Sequence, residues 1–334
     1  MRNAIPPHAS RATPFVSKGV NASLLSSLAM SALPPFPRKL LAPRHWPAWV
    51  GIGFIRAIVL LPTRWTLALG AAFSAAISPL LRARRHVIAR NLELCFPELD
   101  SRQREALRRE ATREMGRMLG EFALGWFASD SKLAGLHVEI EGLEHLETAR
   151  TSGRGVLLVG GHFSHLELCA RLISRRIRIA GMYRRMDSDV FEWNVLRARL
   201  AYADTMFDKD QLRATVKYLK RGGTVWYAPD QDMRGKDSVF APFFGIPAST
   251  ITATHHLARL SGAAVMPFFH RRTPEGGYVL RLEAPLEDFP GEDVVADTAR
   301  VNASIERMVR ETPAQYLWAH KRFKTRPEGM PPVY

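Results

Sequence analysis

A run of branched apolar residues, Gly155-Val156-Leu157-Leu158-Val159, has the length and composition of a buried strand, and residues 166–173 resume with helical periodicity. Short apolar or alternating runs predict further strands at 138–140, 179–183, 224–228, 264–269 and 278–282. Helical patterns at 209–220 and 252–261 fall between them. Upstream, Asp100-Ser101 caps a helix running through Glu105, Ala111, Met115, Leu119 and Phe122 toward Phe127, with charges on its other faces and a linker near Asp130 beyond it. Strands alternating with helices predict an α/β fold on a largely parallel, flanked sheet.

Nearer the N-terminus the pattern changes to two longer apolar runs, 46–62 and 65–81. A bilayer span takes roughly 20 apolar residues, and a central arginine costs about 2.5–3.5 kcal/mol on the insertion scale. The first run, interrupted by Arg56, therefore fits either a short anchor with Arg56 reaching a headgroup or a half-inserted helix. The second is uncharged but rich in Ala, Gly and Ser, with Pro79 near its end, and packs on the first run or on the domain. Trp46, Trp49 and Trp65 sit where an interfacial aromatic belt would, and Arg82-Ala83-Arg84-Arg85 would hold the following domain on the cytoplasmic side.

Charge sharpens this picture. The formal net charge is +15, and the first acidic residue is Glu93. The basic region brackets the apolar runs without the aromatic interleaving of a nucleic-acid face, so an anionic membrane lipid is the expected partner and nucleic acid is not. Residues 1–35, with scattered Arg among Pro, Ser and Ala, read as a disordered extension or as an over-long start with Met30 as initiator. The chain thus divides into 1–35, an anchor or interfacial region at 36–85, and a catalytic domain at 86–334. Cys95 and Cys169, in separate segments without metal spacing, are expected in the core.

Between the central strand and its helix lies Gly160-Gly161-His162-Phe163-Ser164-His165-Leu166-Glu167. His162 therefore stands at a strand's carboxyl end, where ligands gather in open α/β sheets. Five positions separate it from Glu167, too many to share a helix face, so His162 sits in the turn and can fold back toward that carboxylate. Oriented so, it would act as a general base; otherwise it caps the helix and Glu167 is solvated.

The His-x4-Glu element after Gly-Val-Leu-Leu-Val-Gly resembles the motif of the late lipid A acyltransferases, the lauroyl, myristoyl and palmitoleoyl transferases of lipopolysaccharide assembly. Four further blocks are similar to the lauroyl type in the same order: Asn91-Leu92-Glu93-Leu94-Cys95-Phe96-Pro97-Glu98-Leu99, Val225-Trp226-Tyr227-Ala228-Pro229-Asp230, Ser238-Val239-Phe240-Ala241-Pro242-Phe243-Phe244 and Arg322-Phe323-Lys324-Thr325-Arg326-Pro327-Glu328-Gly329. The stretch before Phe36 has no counterpart. The resemblance implies a glycerolipid-acyltransferase-like fold with an N-terminal membrane anchor helix at the bacterial inner membrane. It also implies acyl transfer from acyl carrier protein to a Kdo-bearing lipid A precursor, with no metal or organic cofactor. His162 and Glu167 would be catalytic, with Glu167 stabilising the imidazolium, and Arg199 and Asp230 would bind substrate or organise the site through mutual contact. Asp232 and Arg234 follow as secondary candidates. Turn amides or Arg199 would meet the oxyanion. The basic 321–326 segment would steer acidic carrier protein or the phosphorylated precursor, or simply be solvated.

Three rival readings stay open. A metal-dependent hydrolase would use His162, His165, Glu167, Asp230 and Asp232, although the chain has no His-Glu-x-x-His. A lysophosphatidate acyltransferase would share the chemistry, but its motif normally ends in Asp. A noncatalytic lipid-binding protein would leave an oriented histidine without purpose.

Overall fold

The computed structural model describes residues 33–334, so the expectations for the preceding residues lie outside the described region. Helices α1 (Trp46–Ile58), α2 (Thr63–Ile77), α3 (Arg82–Cys95) and α4 (Ser101–Phe127) come first, then α5 (Asp130–Ala134) where a linker was expected. The alternating part follows: β1 (Val138–Glu141), α6 (Leu143–Thr151), β2 (Val156–Val159), α7 (Leu166–Ser174), β3 (Ala180–Tyr183), α8 (Asp189–Leu200), β4 (Met206–Asp208), α9 (Leu212–Lys220) and β5 (Thr224–Tyr227). Beyond these lie β6 (Ser238–Phe243), β7 (Ile246–Ile251), α10 (Ala253–Ser261), β8 (Ala264–Arg272), β9 (Tyr278–Leu282) and α11 (Val294–Glu311).

Among the described residues, seven strands form one sheet in the order β1-β9-β8-β2-β5-β3-β4. All its pairs are parallel except β8 with β9, which are joined by a turn too short for a crossover. The sheet is therefore mixed and mostly parallel. β2 lies at its centre and feeds both faces: Leu157 and Val159 join the core under α9, α10 and α11, while Val156 and Leu158 join the core under α4, α6 and α7. Burial on both sides is why this strand reads as unbroken apolar residues.

Three strands had no clear signal. β4 is three residues long and exists by pairing with β3. The β6–β7 hairpin carries Pro242 and Pro247 opposite one another, residues that argue against a strand. Its turn is Phe244-Gly245, both at positive φ (53° and 73°), the backbone that a two-residue hairpin requires.

Helix α4 opens as expected, Asp100 accepting from the Gln103 amide at 2.7 Å while the Gln103 side chain accepts from the Asp100 amide. Its faces do not divide as expected. Leu119 is exposed, whereas Glu114 and Glu121 are buried and both paired with Arg272 of β8.

The two apolar runs form short helices packed on this domain. No single helix among the described residues is long and apolar enough to cross a bilayer; residues 63–80 and 82–95 pass on length and composition only as a pair bent by 101°. α2 lies against α4 at a glycine pair, where a Cβ on Gly116 would fall 2.0 Å from the Gly70 carbonyl oxygen. Gly116→Ala is thus expected to force the helices apart and lower stability by about 1–3 kcal/mol, the usual scale of overpacking; urea unfolding would show it, and an unchanged midpoint would contradict this packing. Arg56 turns to the domain, donating to Asn194 at 3.4 Å and stacking 4.9 Å from the Phe127 ring, in place of the headgroup contact considered above. On the outer sides, Trp46, Val50 and Phe54 of α1 and Trp65, Leu69 and Phe73 of α2 are exposed, each set spaced four residues apart as one helical stripe. Cys95 and Cys169 are both buried and free.

Candidate active site

β2 delivers the chain to Gly160 and Gly161, whose lack of side chains lets the backbone pass close to its neighbours; a Cβ on Gly160 would lie 2.6 Å from the Phe268 carbonyl oxygen. His162 follows, held from two sides by Asp230, which stands just beyond the end of β5. The His162 amide donates to Asp230 Oδ2 at 2.8 Å, and the ring Nδ1 lies 2.5 Å from Oδ1. The Tyr316 hydroxyl also donates to this carboxylate, which is 1% exposed. A buried carboxylate can only accept here, so the tautomer with the proton on Nδ1 is assigned, leaving the Nε2 lone pair free.

Burial alone would lower the His162 pKa, but the charge of Asp230 and its hydrogen bond outweigh burial, and the net shift is upward. Burial likewise opposes ionisation of Asp230, yet His162 and the surrounding donors hold its carboxyl below the usual range. The pair thus favours an imidazolium–carboxylate state once a proton arrives.

Glu167 and Arg199 do not make the contacts expected of them. In the first turn of α7, Glu167 pairs with the Arg199 guanidinium through both oxygens and accepts from the Trp126 indole at 2.8 Å. His162 is therefore oriented by Asp230 and not by Glu167, and Asp230 contacts His162 and not Arg199. The reason is direction: the turn aims His162 at the end of β5, whereas Glu167 faces α4 and α8. Both still border one cavity of about 270 Å³, whose walls include Met118, Phe122, Leu166, Met182, Met206 and Leu317. Trp226 also borders it, and its indole N–H is buried without a hydrogen-bond partner among the described residues.

A segment near the C-terminus clamps the turn. Ser164 donates to the Gln315 carbonyl at 2.8 Å, Leu317 donates to the His162 carbonyl at 2.9 Å, and Phe163 bridges Tyr316. The amides of His162, Phe163, Ser164 and Leu166 all have internal acceptors, so these turn amides are not open to an oxyanion.

His165 points away from the cavity into the core. Its Nε2 donates to Gln315 at 2.6 Å and its Nδ1 accepts from His270 Nδ1 at 2.7 Å. Burial pushes both rings down, His270 to about 3, so both are neutral near pH 7. Asp232 accepts from the amide and hydroxyl of Thr325, and Arg234 donates to the same hydroxyl at 3.1 Å; the two anchor the C-terminal segment. The ligand set of the metal reading is thus dispersed among other partners. The ligand-type side chains that do cluster among the described residues are His165, Cys169 and His270, in the core.

The basic 321–326 segment is also partly structural. Arg322 is 3% exposed, bonded to the Ser249 carbonyl and the Thr250 hydroxyl, and Arg326 donates to the Pro247 carbonyl at 3.0 Å. Only Lys321 and Lys324 of its cations are exposed.

Trp126, Trp226 and Tyr316 join the site only through the fold. Trp126 had a signal, lying one turn beyond Phe122 on the apolar stripe of α4, and Tyr316 begins the alternating Tyr316-Leu317-Trp318.

Comparison with known proteins fits this arrangement. Residues 33–325 match the family model of bacterial lipid A biosynthesis acyltransferases. The chain is 39% identical over 307 residues to the lipid A biosynthesis lauroyltransferase of Escherichia coli K12, covering 91% of this chain and 100% of that protein. It is 38% identical over 301 residues to the palmitoleoyltransferase of the same organism, covering 90% and 98%. The myristoyltransferase is more distant, 28% identical over 311 residues, covering 89% and 93%. With the match spanning almost all described residues, this chain belongs to the bacterial lipid A biosynthesis acyltransferase family and is an acyltransferase.

Proposed function

We propose that this enzyme moves a fatty acyl group, a lauroyl chain by likeness to the lauroyltransferase, from acyl carrier protein to a hydroxyl of a Kdo-bearing lipid A precursor. The observation that carries the mechanism is His162, with Nδ1 committed to Asp230 and Nε2 free beside an apolar-walled cavity. The acceptor hydroxyl oxygen attacks the thioester carbonyl carbon as Nε2 takes its proton, and Asp230 stabilises the imidazolium so formed. The Trp226 indole borders the cavity with its N–H unpaired but buried against the Gly160 turn, so it meets the tetrahedral oxyanion once the ring turns toward the cavity. Collapse breaks the C–S bond, and the imidazolium returns its proton to the departing thiolate. Glu167 acts with Arg199 and Trp126 to hold the start of α7, and with it the cavity wall, in register. No step requires a metal or organic cofactor.

The exposed apolar stripes of α1 and α2 support seating at the bacterial inner membrane, with the active site on the cytoplasmic face, where acidic carrier protein and anionic lipid are available. Expression in a strain lacking its own late acyltransferases, followed by mass spectrometry of its lipid A, tests the whole reading. One added acyl chain of lauroyl mass is expected. Lipid A left unchanged by well-expressed protein would refute the transfer, and a different added mass would refute only the chain length.

A further inference from the structure

A second cavity, of about 1000 Å³, opens between α1, the end of α4, α5, α7 and α8. Five cationic side chains border it, Arg56, Lys132, Arg171, Arg175 and Arg178, against a single carboxylate, Asp130. Such an imbalance in a concave site focuses positive potential and attracts anions.

The cations differ in how committed they are. Lys132 donates to the carbonyls of Val59 and Leu61 and ties the end of α1 to the domain. Arg171 donates to the Gly125 carbonyl at 3.2 Å and reaches Asp130 at 3.0 Å; that carboxylate is 85% exposed, so its half of the pairing is weak enough to exchange for a better anion. Arg178 holds the Ala203 carbonyl at 2.7 Å and lies 3.5 Å from Asp204, leaving donors unused. Arg175 has no side-chain partner among the described residues.

Position gives the cavity its meaning. Leu60, 85% exposed, forms part of its rim and continues the apolar outer surface of α1. On the inner side, Tyr202 borders both this cavity and the one that holds His162, and Trp126 borders this one while donating to Glu167. A cationic bowl thus lies between an exposed apolar face and the reaction site.

We propose that this bowl binds a phosphoryl group on the sugar head of the acceptor glycolipid, with Arg175 and Arg178 as its principal donors; the inference rests on the acceptor class proposed above. Guanidinium groups suit phosphate through paired N–H donors. A lipid-borne phosphate enters from the apolar rim, which favours the acceptor over the phosphodiester of the donor's prosthetic arm.

The test uses full-length enzyme and an Arg175→Gln/Arg178→Gln variant, with Arg175→Gln alone and Arg178→Lys as folding-safe companions. The KM for phosphorylated precursor is expected to rise about tenfold or more in the double variant, equivalent to one charge-assisted bond at 1.4 kcal/mol per decade. The KM for acyl carrier protein should not follow. With precursor stripped of its phosphates, wild type and variant should become alike. Flotation provides an arm independent of turnover: the variant should lose retention on vesicles carrying phosphorylated precursor while matching wild type on phosphatidylglycerol vesicles. An unchanged acceptor KM, a rise in donor KM instead, or equal loss on both kinds of vesicle would each overturn the proposal. Wild type that binds phosphorylated precursor but cannot acylate it would refute the proposed function and leave this site standing.

Discussion

His162→Ala is expected to lose 10²–10⁴-fold in the turnover of its folded fraction, the usual contribution of a positioned general base; the 29% exposed ring fills no core, and Asp230, though it loses its ring partner at some cost in stability, keeps the residue-162 amide and the Tyr316 hydroxyl. His165→Ala should behave in the opposite sense. That ring is fully buried and holds both Gln315 and His270, so its loss should lower stability more than the turnover of the folded fraction. Equal losses of turnover in the two folded variants would argue against a single base.

The companion variant Asp230→Asn adds a direction. The base must be neutral to act, so the acid limb of kcat/KM in wild type should lie above the ordinary histidine value of 6.5, reflecting the raised pKa of His162. Removing the Asp230 charge leaves burial as the main influence, and burial lowers the pKa. The limb should therefore move to lower pH even as the plateau rate falls. Stability follows the same linkage: the contribution of protonated His162 is complete below 6.5 and is lost as pH rises through the raised folded value, whereas that of Asp230 is present above 3.8 and is lost in acid. An acid limb that stays in place in Asp230→Asn would break the link between the two residues.

Arg199→Met is expected to be among the most destabilising single changes near the site. It would leave Glu167, whose side chain is 6% exposed, as an uncompensated buried carboxylate, a situation that costs about 3–5 kcal/mol. The double variant Glu167→Gln/Arg199→Met should regain much of that stability, since no buried charge then remains, without regaining turnover. Arg199→Lys should fall short on both counts, because an ammonium cannot make the two parallel bonds that the guanidinium makes. Urea unfolding beside acyl-transfer assays separates the effects; a single variant as stable as wild type would show that the pair carries no such weight.

What could be read along the chain was what neighbouring residues decide. The apolar run at 156–159 marks a strand buried on both faces, the cap at Asp100 marks a helix start, and the turn between β2 and α7 places His162 at a strand's end. These follow from periodicity and local backbone chemistry. Family membership was legible too, through ordered blocks spread over the chain. The partner of His162 was not, because Asp230 lies 68 positions away and reaches the turn only when β2 and β5 pair. Nor could charge alone reveal burial: Glu114, Glu121 and Arg322 look like surface residues, and only packing shows that each has a buried partner. The hairpin of β6 and β7 hides behind its prolines because its register is enforced by α11 and the turn at Phe244-Gly245. The cationic bowl is the clearest case: Arg171, Arg175 and Arg178 lie along the end of α7 and the loop after it, but only the tertiary fold brings Arg56 of α1 and Lys132 of α5 beside them and makes the charge concave, because electrostatic attraction depends on distance in space and not on separation along the chain.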